Sequence, residues 1–215
     1  MILFTGINNR IMKKYFTFED LVPPTNRIEA IEFFNNLFEN NNPLIVEIGS
    51  GNGHFLVDYA FQKPDYNFIG TELLGGRAKK FYKKICKREL KNIAVYKGDA
   101  RVFIWEYLYD EMVNEFIILF PDPWPKKRHH KHRLIKEGFI KMLSRRLKKN
   151  GLISIATDHE EYRNWIIDEF KKVKGLIPIY KDGYSSYPEE YPSTLFFERF
   201  KDYGKEIYFM RYRKA

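Results

Sequence analysis

The sequence has a single cysteine and no long run of apolar residues. With Cys86 alone, the chain cannot form an intrachain disulfide or an all-cysteine metal site, and its place in a helix-like stretch predicts a buried thiol in a reducing compartment. The apolar runs are far shorter than a bilayer span, and the N-terminus lacks the pattern of a secretory signal. These absences predict a soluble cytoplasmic protein without a membrane partner.

Positive charge is in excess. The 215 residues include 37 Lys and Arg against 28 Asp and Glu, which gives a formal net charge of +9. Such a balance favours a polyanionic partner, either a nucleic acid or an anionic membrane surface, and does not choose between them. The length fits a single domain with small additions, as a monomer or a homodimer.

Short apolar segments alternate with longer segments of helical periodicity. The strand candidates are PLIVEIGSG, YNFIGTEL, NIAVYKGDA, NEFIILFPD and LISIATD, followed by GLIPIY and EIYFMRYR. A long helix is predicted over residues 132–149, ended by Asn150 and Gly151. The alternation predicts a Rossmann-like α/β fold, a seven-stranded and mainly parallel sheet with helices on both faces.

Two segments lie outside this alternation. Residues 1–42 are predicted to form a partly helical N-terminal extension, and residues 43–215 the main domain. The apolar side of the helix in the extension is predicted to carry Ile28, Ile31, Phe34 and Leu37 or Phe38. Residues 181–205, between the last two strands, are rich in Tyr and Pro and lack clear periodicity, which predicts a functional loop.

Three glycines follow the first strand of the main domain, at Gly49, Gly51 and Gly53 in VEIGSGNGHF. Glycine lets the chain turn sharply and lets a ligand approach the backbone at the carboxyl end of the sheet. His54 stands where the dinucleotide fingerprint G-x-G-x-x-G would have its third glycine. The motif therefore predicts a nucleotide-like ligand, although a tight turn alone can also use these residues.

Carboxylates lie at or near the ends of the first three of these strands. Glu72 can accept hydrogen bonds from a ribose diol, and Asp99 can accept from an adenine amino group or cap the helix that follows. Glu47, just before the glycines, would repel a pyrophosphate but could hold an ammonium group, directly or through water. S-adenosylmethionine carries a sulfonium and an amino group, whereas NAD carries neither. The set therefore favours S-adenosylmethionine, with S-adenosylhomocysteine as the product.

The stretch FPDPWPKKRHHKHR, residues 120–133, follows the fourth strand, beside the switch point where open α/β sheets bind ligands. Its three prolines predict a stiff loop that holds Asp122 at the cofactor. Trp124 is predicted either to contact a flat base or to brace the loop as a core aromatic.

The second half of this stretch is basic and predicts phosphate contacts, although a charge run can also be a solvated surface. The candidate RNA contacts are Lys127, Arg128, His129, His130, Lys131, His132 and Arg133. The three histidines raise the possibility of zinc, but no cysteine is nearby, no acid lies inside the run and many cations surround it. We therefore expect no metal.

The stretch FPDPWPKKRHHKHRL resembles the signature of the bacterial tRNA (guanine-N7)-methyltransferases of the TrmB type, which are class I S-adenosylmethionine-dependent methyltransferases. The blocks VEIGSGNGHF, GTELLGGRAKK, GDA, ATDHEEY and STLFFERFKDYGKEIYFMRY are similar to the remaining family blocks, in the same order, from about residue 44 to the end. The resemblance implies methyl transfer from S-adenosylmethionine to N7 of guanine 46 in the tRNA variable loop, forming 7-methylguanosine.

The resemblance also implies roles for single residues. Asp122 matches the acid at the catalytic centre that also borders the cofactor, and the cofactor-contacting acids are Glu47, Glu72 and Asp99. The implied substrate-binding positions are Lys126, Asp158 and Thr194. The family's late T-x-x-E motif is imperfect, because Phe197 stands where its glutamate is expected and Glu198 follows by one.

Two other classes of protein remain as alternatives. A methyltransferase acting on adenine or on protein would favour an (N/D/S)-P-P-(Y/F/W) loop after the fourth strand, whereas this chain has D-P-W-P. A nucleic-acid-binding module with a vestigial or nucleotide-sensing pocket would be favoured by loss of the glycines or of Asp122, and both are present.

Overall fold

The computed structural model describes residues 14–215, apart from the side chains of Leu195, Phe196 and Phe200. Its strands are β1 (Tyr15–Phe16), β2 (Leu44–Ile48), β3 (Asn67–Glu72), β4 (Ile93–Lys97), β5 (Val113–Leu119), β6 (Leu147–Thr157), β7 (Leu176–Pro178) and β8 (Tyr208–Lys214). Its helices are α1 (Arg27–Phe38), α2 (His54–Gln62), α3 (Gly75–Lys87), α4 (Ala100–Glu106), α5 (Glu137–Arg146), α6 (Glu160–Lys171) and α7 (Leu195–Asp202).

These strands form one sheet in the order β1-β4-β3-β2-β5-β6-β8-β7. The first six run parallel, and β8 runs antiparallel to both β6 and β7. The carboxyl ends of β2, β3, β4 and β5 therefore meet at one edge, where all four strand-end motifs lie. The mainly parallel α/β sheet is confirmed, with eight strands rather than seven because Tyr15–Phe16 adds an edge strand.

Helices cover both faces of the sheet, and β2 shows how its side chains are divided between them. Leu44, Val46 and Ile48 pack into the cluster formed with α1, α4, α5 and α6, whereas Ile45 packs into the cluster formed with α2 and α3. Alternate residues of a strand point to opposite faces. Glu47 therefore lies on the side of α2 and α3.

The helix predicted over residues 132–149 is shorter, because α5 ends at Arg146 and β6 begins at Leu147, which pairs with Val113. Asn150 has a φ of 63° and lies at an irregularity in the β5–β6 register, so Asn150 and Gly151 mark a break inside a strand rather than the end of a helix. None of the helices within residues 14–215 has the length and apolar character needed to cross a membrane.

Three smaller expectations were wrong. Cys86 is exposed, because the buried side of α3 is formed by Ala78, Phe81 and Ile85. On α1 the buried side is Ala30, Phe34, Leu37 and Phe38, which leaves Ile28 and Ile31 exposed. The tyrosine-rich segment between β7 and β8 contains α7 and is not wholly a loop. The division of the chain at residues 42 and 43 stays a prediction.

Candidate active site

The glycine loop, residues 49–53, joins β2 to α2 at the carboxyl edge of the sheet. Gly49 and Gly51 have φ angles of 79° and 56°, a region that L side chains rarely adopt. Nothing lies within 4 Å of the position that a Cβ would take on either residue, so the space above the loop is open to a ligand. A Cβ on Gly53, by contrast, would lie 2.0 Å from the Phe81 ring, which shows how closely α3 packs beneath the loop.

Glu72 ties the glycine loop to the end of β3. Its two carboxylate oxygens accept hydrogen bonds from the backbone N–H of Gly51 (2.9 Å) and of Leu74 (2.8 Å). Each carboxylate oxygen can accept a second hydrogen bond. Glu72 can therefore position the loop and still accept from a ribose hydroxyl, the role predicted for it.

Glu47 is a buried carboxylate with an unpaired oxygen. Only 3% of the residue is exposed, and its Oε2 has no hydrogen-bond partner among the described residues. Burial raises the pKa of Glu47 to about 8, and the nearby carboxylate of Glu72 adds to the rise. A buried carboxylate without a partner is unfavourable, and a cation placed beside it would relieve that cost. This group and the open glycine loop fit a cofactor that carries an ammonium group.

Asp99 is occupied by its own helix. It accepts from the backbone N–H of Arg101 (2.8 Å) as the N-cap of α4, and the Arg101 guanidinium also donates to it. The hydrogen bond from the Arg101 side chain is the main reason that the pKa of Asp99 is lowered. The capping interpretation is therefore confirmed, and a cofactor contact by Asp99 stays a prediction.

The proline loop, residues 120–126, leaves β5 sharply and exposes Asp122. Phe120 adopts a φ of 53°, and its N–H donates to the carbonyl of Ala156 in β6. Asp122 is exposed, and within residues 14–215 its carboxylate accepts no hydrogen bond. β5 is the direct neighbour of β2, so Asp122 and the glycine loop lie at adjacent strand ends. The carboxylate of Asp122 is free to contact a ligand there.

Trp124 packs against the histidines that follow the proline loop and is not a core residue. Its ring lies edge-to-face with His129, at a centroid distance of 5.8 Å, and at 5.1 Å from the ring of His132. A third histidine, His130, packs in the same way against Trp165 of α6. With 37% of its surface exposed, Trp124 keeps part of its ring open beside Asp122. The histidines of the basic run thus have a packing role that the sequence did not reveal.

Arg133 differs from the expected RNA contact. It is 2% exposed, and its guanidinium lies over the rings of Tyr162 and Trp165, at 5.0 and 4.8 Å. Its Nε donates to the carbonyl of Pro123 (2.9 Å), and its terminal nitrogens pair with Glu161. Because α6 covers this side chain, Arg133 holds the proline loop and is not presented to a phosphate.

The basic segment, Lys127–His132, is a 3-10 helix with no buried residue. Its cations Lys127, Arg128 and Lys131 are exposed, and so is Lys126 just before it. Arg128 makes one hydrogen bond within the segment, in which its Nε donates to His129 at 3.2 Å. These four side chains therefore remain the cations of the stretch that can reach a polyanion.

The remaining predicted substrate residues lie after β6 and at the start of α7, on the side of β5 that faces away from β2. Asp158 follows β6 and pairs with the ammonium of Lys205, 2.5 Å away. Thr194 is buried as the N-cap of α7 and accepts from the N–H of Phe197 (2.8 Å), while the exposed Glu198 accepts from the Ser193 hydroxyl. A cleft of about 360 Å³ opens beside Lys205, between α7 and residues 184–187.

Sequence reasoning missed a buried polar cluster under the segment that carries Thr194. The Glu115 carboxylate accepts from the hydroxyls of Tyr191 and Ser154, and Arg211 donates to Ser154 (3.0 Å) while lying over the Tyr191 ring. The cluster holds Tyr191 against the sheet. A charged residue within the apolar strand VNEFIIL was the available signal. Close by, burial and the neighbouring Glu47 raise the pKa of Tyr187, so this segment reaches the cofactor side of the sheet.

Among residues 14–215, no three His, Cys, Asp or Glu side chains lie together as a metal site would require. His129 and His132 instead pack on Trp124.

Comparison with known proteins identifies the family. A family model described as "Putative methyltransferase" matches residues 41–210. The tRNA (guanine-N(7)-)-methyltransferase of Chlamydia caviae is 30% identical over 206 residues, covering 95% of this chain and 87% of the relative. The protein of that name from Zymomonas mobilis is 34% identical over 183 residues, covering 84% and 78%.

Solved structures support the fold. The 30S ribosomal A1408 methyltransferase from an uncultured bacterium matches with a TM-score of 0.59 and 17% identity, over 86% of this chain and 93% of that chain. At this identity the likeness concerns the fold alone, which is the class I methyltransferase fold. The family match and the relatives together cover the glycine loop, Asp122 and the basic segment. The chain therefore belongs to the tRNA (guanine-N7)-methyltransferase family.

Proposed function

We propose that this protein transfers the methyl group of S-adenosylmethionine to N7 of guanine 46 in the variable loop of tRNA, in the cytoplasm. The products are 7-methylguanosine and S-adenosylhomocysteine. The observation that carries the proposal is the placement, on adjacent strand ends, of the unpaired buried carboxylate of Glu47 and the free carboxylate of Asp122. The names of the relatives supply the substrate.

The cofactor site is formed by the glycine loop and the strand-end acids. Glu47 would hold the ammonium group, Glu72 the ribose hydroxyls and Asp99 the adenine amino group, with Gly49, Gly51 and Gly53 leaving room for the ligand over the backbone. When bound, S-adenosylmethionine supplies an electrophilic methyl group. The chain's own task is to fix the direction from which guanine approaches it.

Guanine N7 has a lone pair in the plane of the ring, so the base can attack without first losing a proton. A strong general base is not required, and positive charge appears on the guanine as the methyl group arrives. The carboxylate of Asp122, on a backbone that the flanking prolines stiffen, stabilises that charge. Asp122 is therefore proposed as the catalytic residue, although it is not a base.

Substrate residues would recognise the guanine from the other side. Asp158 can accept from the N1 and amino donors of guanine after exchanging its pair with Lys205. The Thr194 oxygen accepts from Phe197, which leaves its hydroxyl proton available to donate. Lys126 is exposed at the end of the proline loop and can contact a phosphate, and Glu198 is exposed on the first turn of α7.

Product analysis tests the proposal. Purified protein given labelled S-adenosylmethionine and unmodified tRNA should deposit the label as 7-methylguanosine, and a tRNA carrying adenine at position 46 should receive none. Nucleoside digestion and chromatography identify the product. Label in a different nucleoside, or equal labelling of both tRNAs, would overturn the substrate assignment.

The basic segment provides a second test. Replacing Lys127, Arg128 and Lys131 with Ala should weaken tRNA binding and reduce the slope of log K against log salt by about 2 to 3, since each phosphate contact contributes roughly 1. Affinity for S-adenosylmethionine should not change. Titrations at several salt concentrations measure both quantities.

A matched control removes three charges from the opposite edge of the sheet. Lys148, Lys149 and Lys174 are exposed near the starts of β6 and β7, and their replacement with Ala should leave the salt slope close to that of the wild type. Equal salt slopes for the two triple variants would show that the basic segment is a solvated surface that does not contact tRNA phosphates.

A further inference from the structure

Helix α3 carries an uncompensated row of positive charge. Its sequence, GGRAKKFYKKICK, contains six Lys and Arg and no acid, against a net charge of +9 for the whole chain. Five of these cations are exposed, namely Arg77, Lys79, Lys80, Lys83 and Lys87. Within residues 14–215, none of the five has an ion-pair partner. We infer that this exposed face of α3, the α3 cation face, is a second binding surface for the phosphate backbone of the tRNA substrate.

The periodicity of the helix places the four exposed lysines on the side away from the sheet. Ala78, Phe81 and Ile85 are buried against the sheet, Lys79, Lys80, Lys83 and Lys87 occupy the opposite arc, and Arg77 lies at its flank. Arg77 and Lys87 are separated by about 15 Å along the axis, at 1.5 Å per residue. At the roughly 3.4 Å axial spacing of phosphates along one strand of duplex DNA, this length would span about four phosphates, and an RNA helix offers a row of phosphates of the same order.

The arrangement suits the helix itself only at its end, where Lys84 and Lys87 lie in the last turn and the dipole favours cations. Lys79 and Lys83, Lys80 and Lys84, and Lys83 and Lys87 are like charges four residues apart, which repel each other. Arg77 lies in the first turn, where the helix dipole disfavours a cation. A bound polyanion would remove both unfavourable effects.

The surrounding acids do not neutralise this face. Asp58 of α2 is paired with Arg88 at 2.6 Å, beyond the end of α3, and the sixth cation, Lys84, donates to the carbonyl of Asn52. Glu89 follows the helix and has no cation of α3 within ion-pair distance among the described residues. The five exposed cations therefore meet the solvent without a counter-charge.

The position of α3 suits the same RNA that enters the active site. α3 begins directly after β3, which is separated from β5 only by β2. With strands about 4.8 Å apart, the start of α3 lies on the order of 10 Å from the end of β5 along the sheet edge. An RNA arm lying on the α3 cation face could thus extend over the carboxyl edge toward Asp122.

An anionic membrane is the other polyanion that could meet such a face. Helices that bind membrane surfaces insert large apolar side chains from the same helix. The large apolar side chains of α3, Phe81 and Ile85, are instead buried in the core, and the exposed Leu73 and Leu74 precede the helix and do not belong to its cation face. The observations therefore favour RNA.

The inference rests on the proposed tRNA substrate. A triple variant tests the binding role of the α3 cation face separately from the methyl-transfer reaction. Replacing Lys80, Lys83 and Lys87 with Gln keeps good helix formers and removes three charges. The Kd for tRNA should rise about tenfold, and the salt slope should fall by about 2 to 3. The Kd for S-adenosylmethionine, measured on the same preparations, should stay at the wild-type value because the fold is kept.

The control replaces Lys148, Lys149 and Lys174 with Gln and should bind tRNA as the wild type does. An unchanged tRNA Kd in the α3 variant, or an equal loss in the control, would overturn the inference. A third result would also overturn it. In that case the wild-type protein would bind vesicles containing phosphatidylserine, and the α3 variant would lose this binding but keep its affinity for tRNA. Failure of the proposed reaction would be seen separately, as a wild-type protein that forms no 7-methylguanosine while these binding differences persist.

Discussion

Replacing Asp122 with Asn is expected to slow methyl transfer by about 100- to 1000-fold, the usual effect of removing one preorganised electrostatic group from a reacting centre. Asparagine keeps the size of the side chain and removes its charge, so the cation that develops on guanine loses its stabilising partner. Asp122 accepts no hydrogen bond within residues 14–215, so the change leaves no buried donor unpaired. The fold should therefore be kept, and the loss should appear in the rate.

Single-turnover formation of 7-methylguanosine at saturating tRNA and S-adenosylmethionine measures this rate directly. Thermal unfolding of the same sample should give a Tm close to that of the wild type. Asp65→Asn is a suitable control, because Asp65 is an exposed acid in the turn before β3, at the opposite edge of the sheet. A normal rate in Asp122→Asn would remove Asp122 from the catalytic centre.

The site was most predictable where its signal is local. The glycine loop and Asp122 follow strands that the apolar pattern reveals, Glu47 and Glu72 lie within them, and the parallel pairing of these strands brings their carboxyl ends to one edge. Arg133 was misread because its environment is not local. Its burial depends on Glu161, Tyr162 and Trp165, which belong to α6, a helix that comes after β6 in the sequence.

The same distinction explains the errors in the fold. Residues 147–149 continue the helical pattern of α5, but Leu147 pairs with Val113 of β5, and that pairing decides its structure. β1 contains only Tyr15 and Phe16, too few residues for an alternating pattern, and it becomes a strand through its pairing with β4. Pairing between distant segments leaves little trace in the local sequence.

Affinity for S-adenosylmethionine is expected to rise steeply with pH between pH 6 and 8. Burial raises the pKa of Glu47 to about 8, so below that pH the free protein holds this carboxyl mainly in its neutral form. The charged form is the one that attracts an ammonium group, and binding must therefore release a proton. The same shift has the opposite effect on the stability of the unliganded fold. Because the pKa of Glu47 is raised from 4.5 to about 8, the folded state binds more protons than the unfolded state between these pH values, and stability is expected to fall as pH rises through them.

The linkage sets the size of the effect. From pH 8 to pH 6 the affinity should fall about 50-fold, and about 0.9 proton should be released per cofactor bound at pH 7. Calorimetry in two buffers of different ionisation enthalpy counts this proton. Glu47→Gln removes the titrating group at nearly constant size, so its affinity should be low at pH 8 and nearly independent of pH, with no proton released. If Glu47→Gln kept the wild-type pH dependence, Glu47 would have no part in the proton exchange. Another group would then hold the ammonium.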